Sequence, residues 1–150
     1  MFRVLPALAA VAAAAPMLAG CAVFSPFTAF MSPEDCMTRV MYFESLRSSP
    51  DGMLAVGTVV MNRVNDPKFP HSVCAVVGQP GQFADGALWL PLQSGSGLTL
   101  AREMARRVLA GERDPQIGGA EYFHTAGYTF PYDNMHYVEV AGGNAFYWKS

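Results

Sequence analysis

The chain has 150 residues, of which 51% are hydrophobic and 15% are charged, and its formal net charge is -2. This length leaves room for one domain built around one hydrophobic core of modest size. A domain that binds nucleic acid is expected to carry a basic face, and this acidic balance does not favour one. We therefore expect no nucleic-acid partner.

The first residues follow the plan of a secretory signal. Arg3 precedes an apolar, alanine-rich stretch that extends to Leu18. The sequence Leu18-Ala19-Gly20-Cys21 resembles the lipobox of bacterial lipoproteins, in which the cysteine receives the lipid and becomes the mature N-terminus. An uncleaved membrane helix is the alternative, but the stretch is short and two prolines interrupt it.

This resemblance implies an exported protein with three parts. Residues 1–20 would be the lipoprotein signal peptide, residues 21–31 a lipidated tether, and residues 32–150 the folded domain. In lipoproteins of double-membraned bacteria, an aspartate after the lipidated cysteine typically retains the protein in the inner membrane, and here that residue is Ala22. The resemblance therefore favours an outer-membrane anchor, with the domain facing the periplasm.

Two helices are predicted at the start of the domain. Ser32 can cap the first helix, Pro33 suits its first position, and the helix is expected to end near Leu46. The same kind of start at Ser49 predicts a second helix that ends at Val64. Apolar residues cover most of the circumference of this second helix, so we expect it to be central.

The rest of the chain changes from helical to strand-like patterns. Residues 72–77 form an apolar element too short to assign, and residues 78–97 are rich in glycine and predict a loop. Residues 98–109 predict a third helix, which Gly111 stops. Three aromatic and β-branched segments predict an antiparallel sheet: residues 121–125, 135–140 and 145–149. The fold class is therefore α+β, with helices first and a short sheet toward the C-terminus.

Two cysteines lie within the predicted domain, Cys36 and Cys74. If the chain is exported, these cysteines are in a compartment where disulfides persist. An even pair then predicts a bridge between the first helix and a later segment. The alternative is two buried free thiols, which are common in protein cores.

One acidic residue shares a helix face with apolar side chains. Met37, Val40, Met41 and Glu44 follow helical spacing, so Glu44 is expected to point inward with the other three. Burial of a carboxyl raises its pKa, which suits a general acid. The alternative is an ordinary buried ion pair, which the spacing alone favours, because buried charges are usually paired. Its partner would be one of three arginines: Arg39, Arg47 or Arg63.

Several short motifs follow one another along the predicted domain. They are Arg39–Glu44, Ala55–Val64, Lys68–Pro70, Ser72–Val77, Gly81–Phe83, Gly119–His124 and Gly142–Tyr147. In this order and register they resemble the SleB-like cell-wall hydrolase family, which includes spore-cortex-lytic enzymes. The resemblance extends from about Cys36 to Trp148 and implies a small domain like lysozyme and the lytic transglycosylases, with a sugar-binding cleft.

The resemblance also implies a chemistry. The glutamate of the family's Tyr-x-Glu motif is the catalytic acid, and that position is Glu44 here. The bond cleaved joins N-acetylmuramic acid to N-acetylglucosamine in the glycan strands of peptidoglycan. In lytic transglycosylases one carboxyl can serve twice, first as an acid and then as a base toward the C6 hydroxyl of the sugar. The product is a 1,6-anhydro sugar, and no second carboxylate has to position a water molecule.

This sequence departs from the common family pattern at three positions. Ser48 replaces a second glutamate, Ala84 replaces the serine of Gln-Phe-Ser, and Asn144 replaces a histidine near the C-terminus. The loss of the second glutamate favours a mechanism with one carboxyl. The loss of the imidazole excludes any role at residue 144 that needs an ionisable ring.

Aromatic residues are dense in the last third of the chain. Flat rings suit the apolar faces of sugars, and amides can bond sugar hydroxyls. We expect substrate contacts from Gln82, Phe83, Tyr122 and His124. The alternative is that most aromatic residues in the last third of the chain form the core of the small sheet. Strand alternation requires about half of them to do so.

Two other functions stay open. One is a zinc amidase that cuts the peptide stem, because the chain has three histidines, His71, His124 and His136. Their spacing matches no short ligand motif. We therefore expect no metal and no other cofactor. The third candidate is a non-catalytic lipoprotein that binds peptidoglycan, and the replaced motif residues are its best support.

Overall fold

The computed structural model describes residues 30–150. Four helices come first: α1 (Pro33–Glu44), α2 (Pro50–Asn65), α3 (Val73–Val77) and α4 (Ser96–Leu109). Three strands follow: β1 (Tyr122–Thr125), β2 (Met135–Ala141) and β3 (Asn144–Lys149). The predicted α+β class, with helices first and an antiparallel sheet last, is confirmed. The predicted signal peptide, Cys21 and most of the predicted tether lie outside the described residues.

The first two helices begin where side-chain caps were predicted. Ser32 accepts a hydrogen bond from the backbone N–H of Asp35 at 3.1 Å and completes a capping box at the start of α1. Ser49 caps α2 in the same way through Gly52. The apolar element that was left unassigned is α3, capped by Ser72. None of the helices within residues 30–150 has the length and hydropathy of a membrane span.

Helix α2 lies at the centre of the helical part, as its apolar circumference predicted. Its residues from Met53 to Val60 are buried except Leu54, which is partly buried. The long helices α1 and α4 both pack against α2 and against each other. The sheet closes the core from the other side with the fully buried ring of Phe146.

Strand β3 is the middle strand, because the sheet order is β1-β3-β2 and both pairings are antiparallel. Phe123 opposes Phe146, and both rings face the helices. Side chains alternate along a strand, so Tyr122 and its partner Tyr147 lie on the other face. The sheet therefore presents an aromatic face that is not its core face.

The end of α1 is fastened to the hairpin between β2 and β3. The backbone N–H of Leu46 donates to the carbonyl of Gly142 at 3.0 Å. The side-chain amide of Asn144 donates to the backbone carbonyl of Glu44 at 2.5 Å, which satisfies a carbonyl that the end of the helix leaves free. These two bonds hold the last residue of α1 against the sheet.

A disulfide joins the other end of α1 to α3. Cys36 and Cys74 are bonded to each other, with their Cα atoms 5.2 Å apart. The bridge links segments separated by 38 residues, and its first cysteine is fully buried. Helix α1 is thus tied at its start by a covalent bond and at its end by hydrogen bonds.

Candidate active site

Glu44 is the last residue of α1, and its side chain is half-buried. The backbone N–H of Ala84 donates to the carboxyl oxygen Oε1 of Glu44. Ala84 belongs to the glycine-rich loop between α3 and α4. A backbone donor does not depend on the side chain at that position, so the serine that is replaced by Ala84 is not needed for this contact.

No lysine or arginine within the described residues forms an ion pair with Glu44. The three arginines considered as partners are engaged elsewhere. Arg39 donates to the carbonyl of Leu90 at 2.8 Å, Arg47 lies 4.2 Å from the centre of the Tyr42 ring, and Arg63 donates to the carbonyl of Glu121 at 2.7 Å. The ion-pair interpretation that the helical spacing alone favoured is therefore wrong for this structure.

Burial raises the pKa of the Glu44 carboxyl above its ordinary value. The hydrogen bond from Ala84 and the positive charge of Arg63 act in the opposite direction, and burial is the larger effect. The carboxyl therefore keeps its proton closer to neutral pH than an exposed glutamate does. A protonated carboxyl that still reaches solvent can give its proton to a bound oxygen atom.

Arg63 is a buried cation with unused donor capacity, and only 3% of the residue is exposed. Its guanidinium carbon lies 4.9 Å from the centre of the Phe83 ring and 5.6 Å from that of Tyr122. Its Nη1 atom is buried without a hydrogen-bond partner among the described residues. Burial lowers the pKa of Arg63 from its very high ordinary value, while Tyr122, Glu121, Tyr147 and Glu44 oppose this shift.

The aromatic face of the sheet carries His124 and three tyrosines, Tyr122, Tyr137 and Tyr147. Tyr122 and Tyr147 are stacked, with ring centres 5.6 Å apart and planes 23° apart. The Nε2 atom of His124 lies 2.7 Å from the hydroxyl of Tyr137, and the ring of His124 also contacts Tyr147. Arg63 links this face to the carboxyl, because its guanidinium lies over the Tyr122 ring and its charge acts on Glu44.

The structure brings together three of the four predicted substrate contacts. Tyr122 and His124 lie on the aromatic face, and Phe83 joins them through Arg63. Phe83 is 8% exposed and also packs against Phe123, so most of its ring is core. Gln82 is exposed, and its described hydrogen bond uses its backbone N–H rather than its side chain.

A cavity lies within the loop itself, lined by residues 77–81 and 83–89. Glu44 and Gln82 are not among its lining residues, whereas Ala84, which bonds the Glu44 carboxyl, is. The chemically competent groups, the Glu44 carboxyl and those on the aromatic face, are not among the lining residues of this cavity. The cavity shows instead that the loop next to Glu44 encloses open space.

Two contributors to the site were missed from the sequence. Arg63 was expected only as an ion-pair partner, and Asn144 only as a residue that can still hydrogen-bond, with no partner identified. The amide of Asn144 holds the backbone of Glu44, although the residue lies 100 positions away in the chain. Its position in a shared motif was a signal, but the motif could not show which atom it would bond.

The three histidines lie in different environments. His71 lies 3.4 Å from the carbonyl of Val64, His124 belongs to the aromatic face, and His136 stacks on Trp148 with ring centres 4.0 Å apart. Within residues 30–150, no three side chains of the types that ligate metals converge on one point. The geometry of these side chains therefore offers no set of three zinc ligands.

Comparisons with known proteins agree with this architecture. Residues 47–147 match the family model described as cell wall hydrolase, and Glu44 lies just before that range. The spore cortex-lytic enzyme of Halalkalibacterium halodurans is 32% identical over 91 residues, which are 59% of this chain and 26% of that protein. The enzyme of the same name from Bacillus subtilis is 33% identical over 57 residues, 36% of this chain and 19% of that protein. The chain thus spans about a quarter or less of these relatives.

Two solved structures resemble the described fold. The catalytic domain of the Bacillus cereus SleB protein has a TM-score of 0.62 and 24% identity, covering 77% of this chain and 88% of that domain. The catalytic domain of the germination-specific lytic transglycosylase SleB from Bacillus anthracis has a TM-score of 0.61 and 26% identity, covering 77% and 93%. The predicted lysozyme-like fold is confirmed. Together with the family match over most of its length, this likeness means that the chain belongs to the cell wall hydrolase family.

Proposed function

We propose that this protein cleaves the glycan strands of peptidoglycan between N-acetylmuramic acid and N-acetylglucosamine, with Glu44 as the catalytic acid. The observation that carries the proposal is the state of the Glu44 carboxyl. It is half-buried, has no ion-pair partner among the described residues, and has a pKa raised by burial. The membership of the cell wall hydrolase family supports peptidoglycan as the substrate.

The proposed reaction is that of a lytic transglycosylase. Glu44 gives its proton to the glycosidic oxygen as the bond from that oxygen to C1 of muramic acid breaks. The resulting carboxylate then takes the proton of the C6 hydroxyl, while the C6 oxygen forms a new bond to C1. One carboxyl thus ends in its starting state, and the product carries a 1,6-anhydro ring. This outcome needs no second acid, which agrees with Ser48 at the position of the family's other glutamate.

Surrounding residues would hold the carboxyl and the sugar. The amide of Ala84 and the side chain of Asn144 fix the carboxyl and the backbone of Glu44, respectively. Tyr122 and His124 would contact sugar rings on the aromatic face. The stacked ring of Tyr147 supports Tyr122 there.

Replacement of the acid tests this proposal. In Glu44→Gln the amide keeps the shape and its oxygen can still accept from Ala84, but the transferable proton is gone. We expect cleavage of purified sacculi to fall by about two to four orders of magnitude. We also expect an unchanged or higher melting temperature at neutral pH, because the substitution removes a carboxyl whose charged form is disfavoured by burial. Glu103→Gln, on the exposed face of α4, is the matched control and should keep full activity.

The products decide between the mechanisms. Mass spectrometry of the soluble fragments should detect muropeptides lighter by one water than those from a hydrolytic muramidase. Fragments that end in a reducing muramic acid would keep Glu44 as the acid and contradict the anhydro outcome. Free stem peptides, with activity lost to a chelator, would favour the amidase instead. Sacculus binding without any cleavage would favour the non-catalytic binding protein.

We also propose that Cys21 anchors the mature protein to the outer membrane, with the domain in the periplasm. The support is the lipobox-like sequence and the residue that follows it, Ala22. The N-terminus of a lipoprotein carries several acyl chains, which are enough for stable anchoring. Cys21→Ala should release the protein from the membrane fraction or leave an unprocessed precursor, and unchanged mass and membrane association would contradict the anchor.

A further inference from the structure

The loop between β1 and β2 carries exposed aromatic side chains that the proposed catalytic chemistry does not use. Within residues 126–134, Tyr128 is 68% exposed, Phe130 43% and Tyr132 63%. Isolated exposed apolar residues need no explanation, but several aromatic rings in one short loop do. The loop has no leucine, isoleucine, valine or methionine.

Two of these rings continue the aromatic face of the sheet. Phe130 meets the ring of His124 edge-on, with centres 4.7 Å apart. Tyr132 lies nearly parallel to Phe130, with centres 6.3 Å apart and planes 10° apart. We call Phe130 and Tyr132 the outer aromatic pair. Ring contacts therefore run from Tyr122, beside Arg63, through Tyr147 and His124 to the outer pair.

The side chains of the loop indicate which class of ligand it binds. The only charged residue in the loop is Asp133, so the loop has no cation that could attract an anionic membrane surface. Exposed flat rings combined with hydroxyl groups suit a neutral carbohydrate, since a sugar ring offers an apolar face and polar edges.

We propose that the outer aromatic pair is an additional glycan subsite, which holds sugars of the same strand that lie beyond the scissile bond. The inference rests on the proposed function, because the strand would reach the pair from the aromatic face next to Glu44. Long strands would use both parts of the surface, whereas a short oligosaccharide at the scissile position would not reach the outer pair. The pair would then increase the preference of the protein for long strands.

The test compares substrate lengths in a variant that lacks the pair. Phe130→Ala combined with Tyr132→Ala should raise KM for long glycan strands about fivefold to tenfold, as expected for the loss of one or two ring contacts. The KM for a tetrasaccharide and the kcat for both substrates should stay unchanged. Tyr132→Ala alone, at the exposed end of the run, should give a smaller change in the same direction and protects the test against misfolding of the double variant.

Two control variants make the comparison specific. Tyr128→Ala removes an exposed ring from the same loop that is outside the series of ring contacts. Trp148→Ala removes a ring that is 42% exposed and belongs to the other sheet face, where it stacks on His136. Both controls should keep the wild-type KM for both substrates. Equal losses on long and short substrates, or no loss on either, would overturn the inference.

A binding assay separates this inference from the proposed function. Glu44→Gln protein should bind long soluble glycan strands, and the triple variant that also lacks the outer pair should bind them at least fivefold more weakly. This result without any cleavage by the wild type would contradict the proposed function and keep the subsite. Unchanged glycan binding, with loss of binding to phospholipid vesicles instead, would show that the pair contacts membranes and would overturn the subsite.

Discussion

At the scale of single residues, Glu44 and Arg63 form a loosely coupled pair of opposite charges. Burial favours the neutral form of each, raising the pKa of Glu44 and lowering that of Arg63. Each charge partly offsets the shift of the other, although they do not form a salt bridge. A cation held near a general acid without neutralising it limits how far the pKa of the acid can rise.

The pH dependence of cleavage should therefore respond to the charge of Arg63. A general acid works in its protonated form, so activity is lost as pH rises through the pKa of Glu44. Arg63→Met removes the cation that lowers this pKa, so the alkaline limb of kcat/KM should move to higher pH. Arg63→Lys keeps the charge, and its limb should stay closer to that of the wild type. The measurement is a pH profile of cleavage for the three proteins.

Other titratable groups also act on Arg63. The carboxyl of Glu121 lies beside Lys68, at 3.3 Å, and Tyr122 and Tyr147 are the other titratable groups that act on Arg63. Burial raises the pKa of Tyr147, further above the range in which a glutamate titrates. If both Arg63 variants lose thermal stability but keep the wild-type profile, Arg63 has only a structural role.

The sequence predicted that Glu44 points inward, but not which groups hold it. Helical spacing placed Glu44 on the face of Met41, which is fully buried, and this depends only on local geometry. The partner atoms come from Ala84, Arg63 and Asn144, and their positions depend on how distant segments fold together. A single sequence carries no direct signal for contacts of this kind.

At the scale of secondary-structure elements, helix starts were easier to predict than helix ends. The starts of α1 and α2 are set by Ser32 and Ser49, whose side chains bond the next turn. Helix α1 ends at Glu44 rather than near Leu46, because the N–H of Leu46 instead bonds Gly142 in the β2–β3 hairpin. Tertiary contacts thus decided the end of this helix.

The contact between α2 and the β2–β3 hairpin should tolerate no side chain. A Cβ atom at Gly52 would lie 2.3 Å from the Cα of Gly142, which is backbone and cannot rotate away. Gly52→Ala should therefore destabilise the fold by about 1–3 kcal/mol, despite the higher helix propensity of alanine. It should also reduce cleavage well below the melting temperature, because the displaced hairpin holds Leu46 and Glu44.

Gly119→Ala provides the matched control for this prediction. A Cβ atom at Gly119 would have no neighbour within 4 Å. Its effect should stay within about 0.5 kcal/mol, as for most surface substitutions. Thermal unfolding and activity measured at one low temperature would separate the two effects. A Gly52→Ala protein as stable and active as Gly119→Ala would contradict the proposed packing.

At the scale of the whole molecule, the fold class followed from the order of the elements, but the topology did not. Aromatic and β-branched segments identified three strands, with ends that differ from the structure by one residue at most. Nothing in their spacing determined that β3 lies between β1 and β2. That order is set by burial of Phe146 against the helices, a contact between opposite ends of the domain.

The bridge between Cys36 and Cys74 ties the molecule across α1 and α3. By loop entropy it should contribute roughly 3–4 kcal/mol to the free energy of unfolding. Its energetic signature is non-additivity, since removal of either cysteine already breaks the whole bridge. Cys36→Ala, Cys74→Ala and the double variant should therefore lose similar amounts of stability, measured by denaturant unfolding of the oxidised proteins.

Activity should respond differently from stability in these cysteine variants. Cys36 and Glu44 lie about 12 Å apart along the axis of α1, as its rise per residue requires. The end of α1 keeps its own bonds to Gly142 and Asn144, so cleavage below the melting temperature should stay near the wild-type rate. Two losses that add up in the double variant would instead indicate two independently packed thiols, the alternative that the sequence left open.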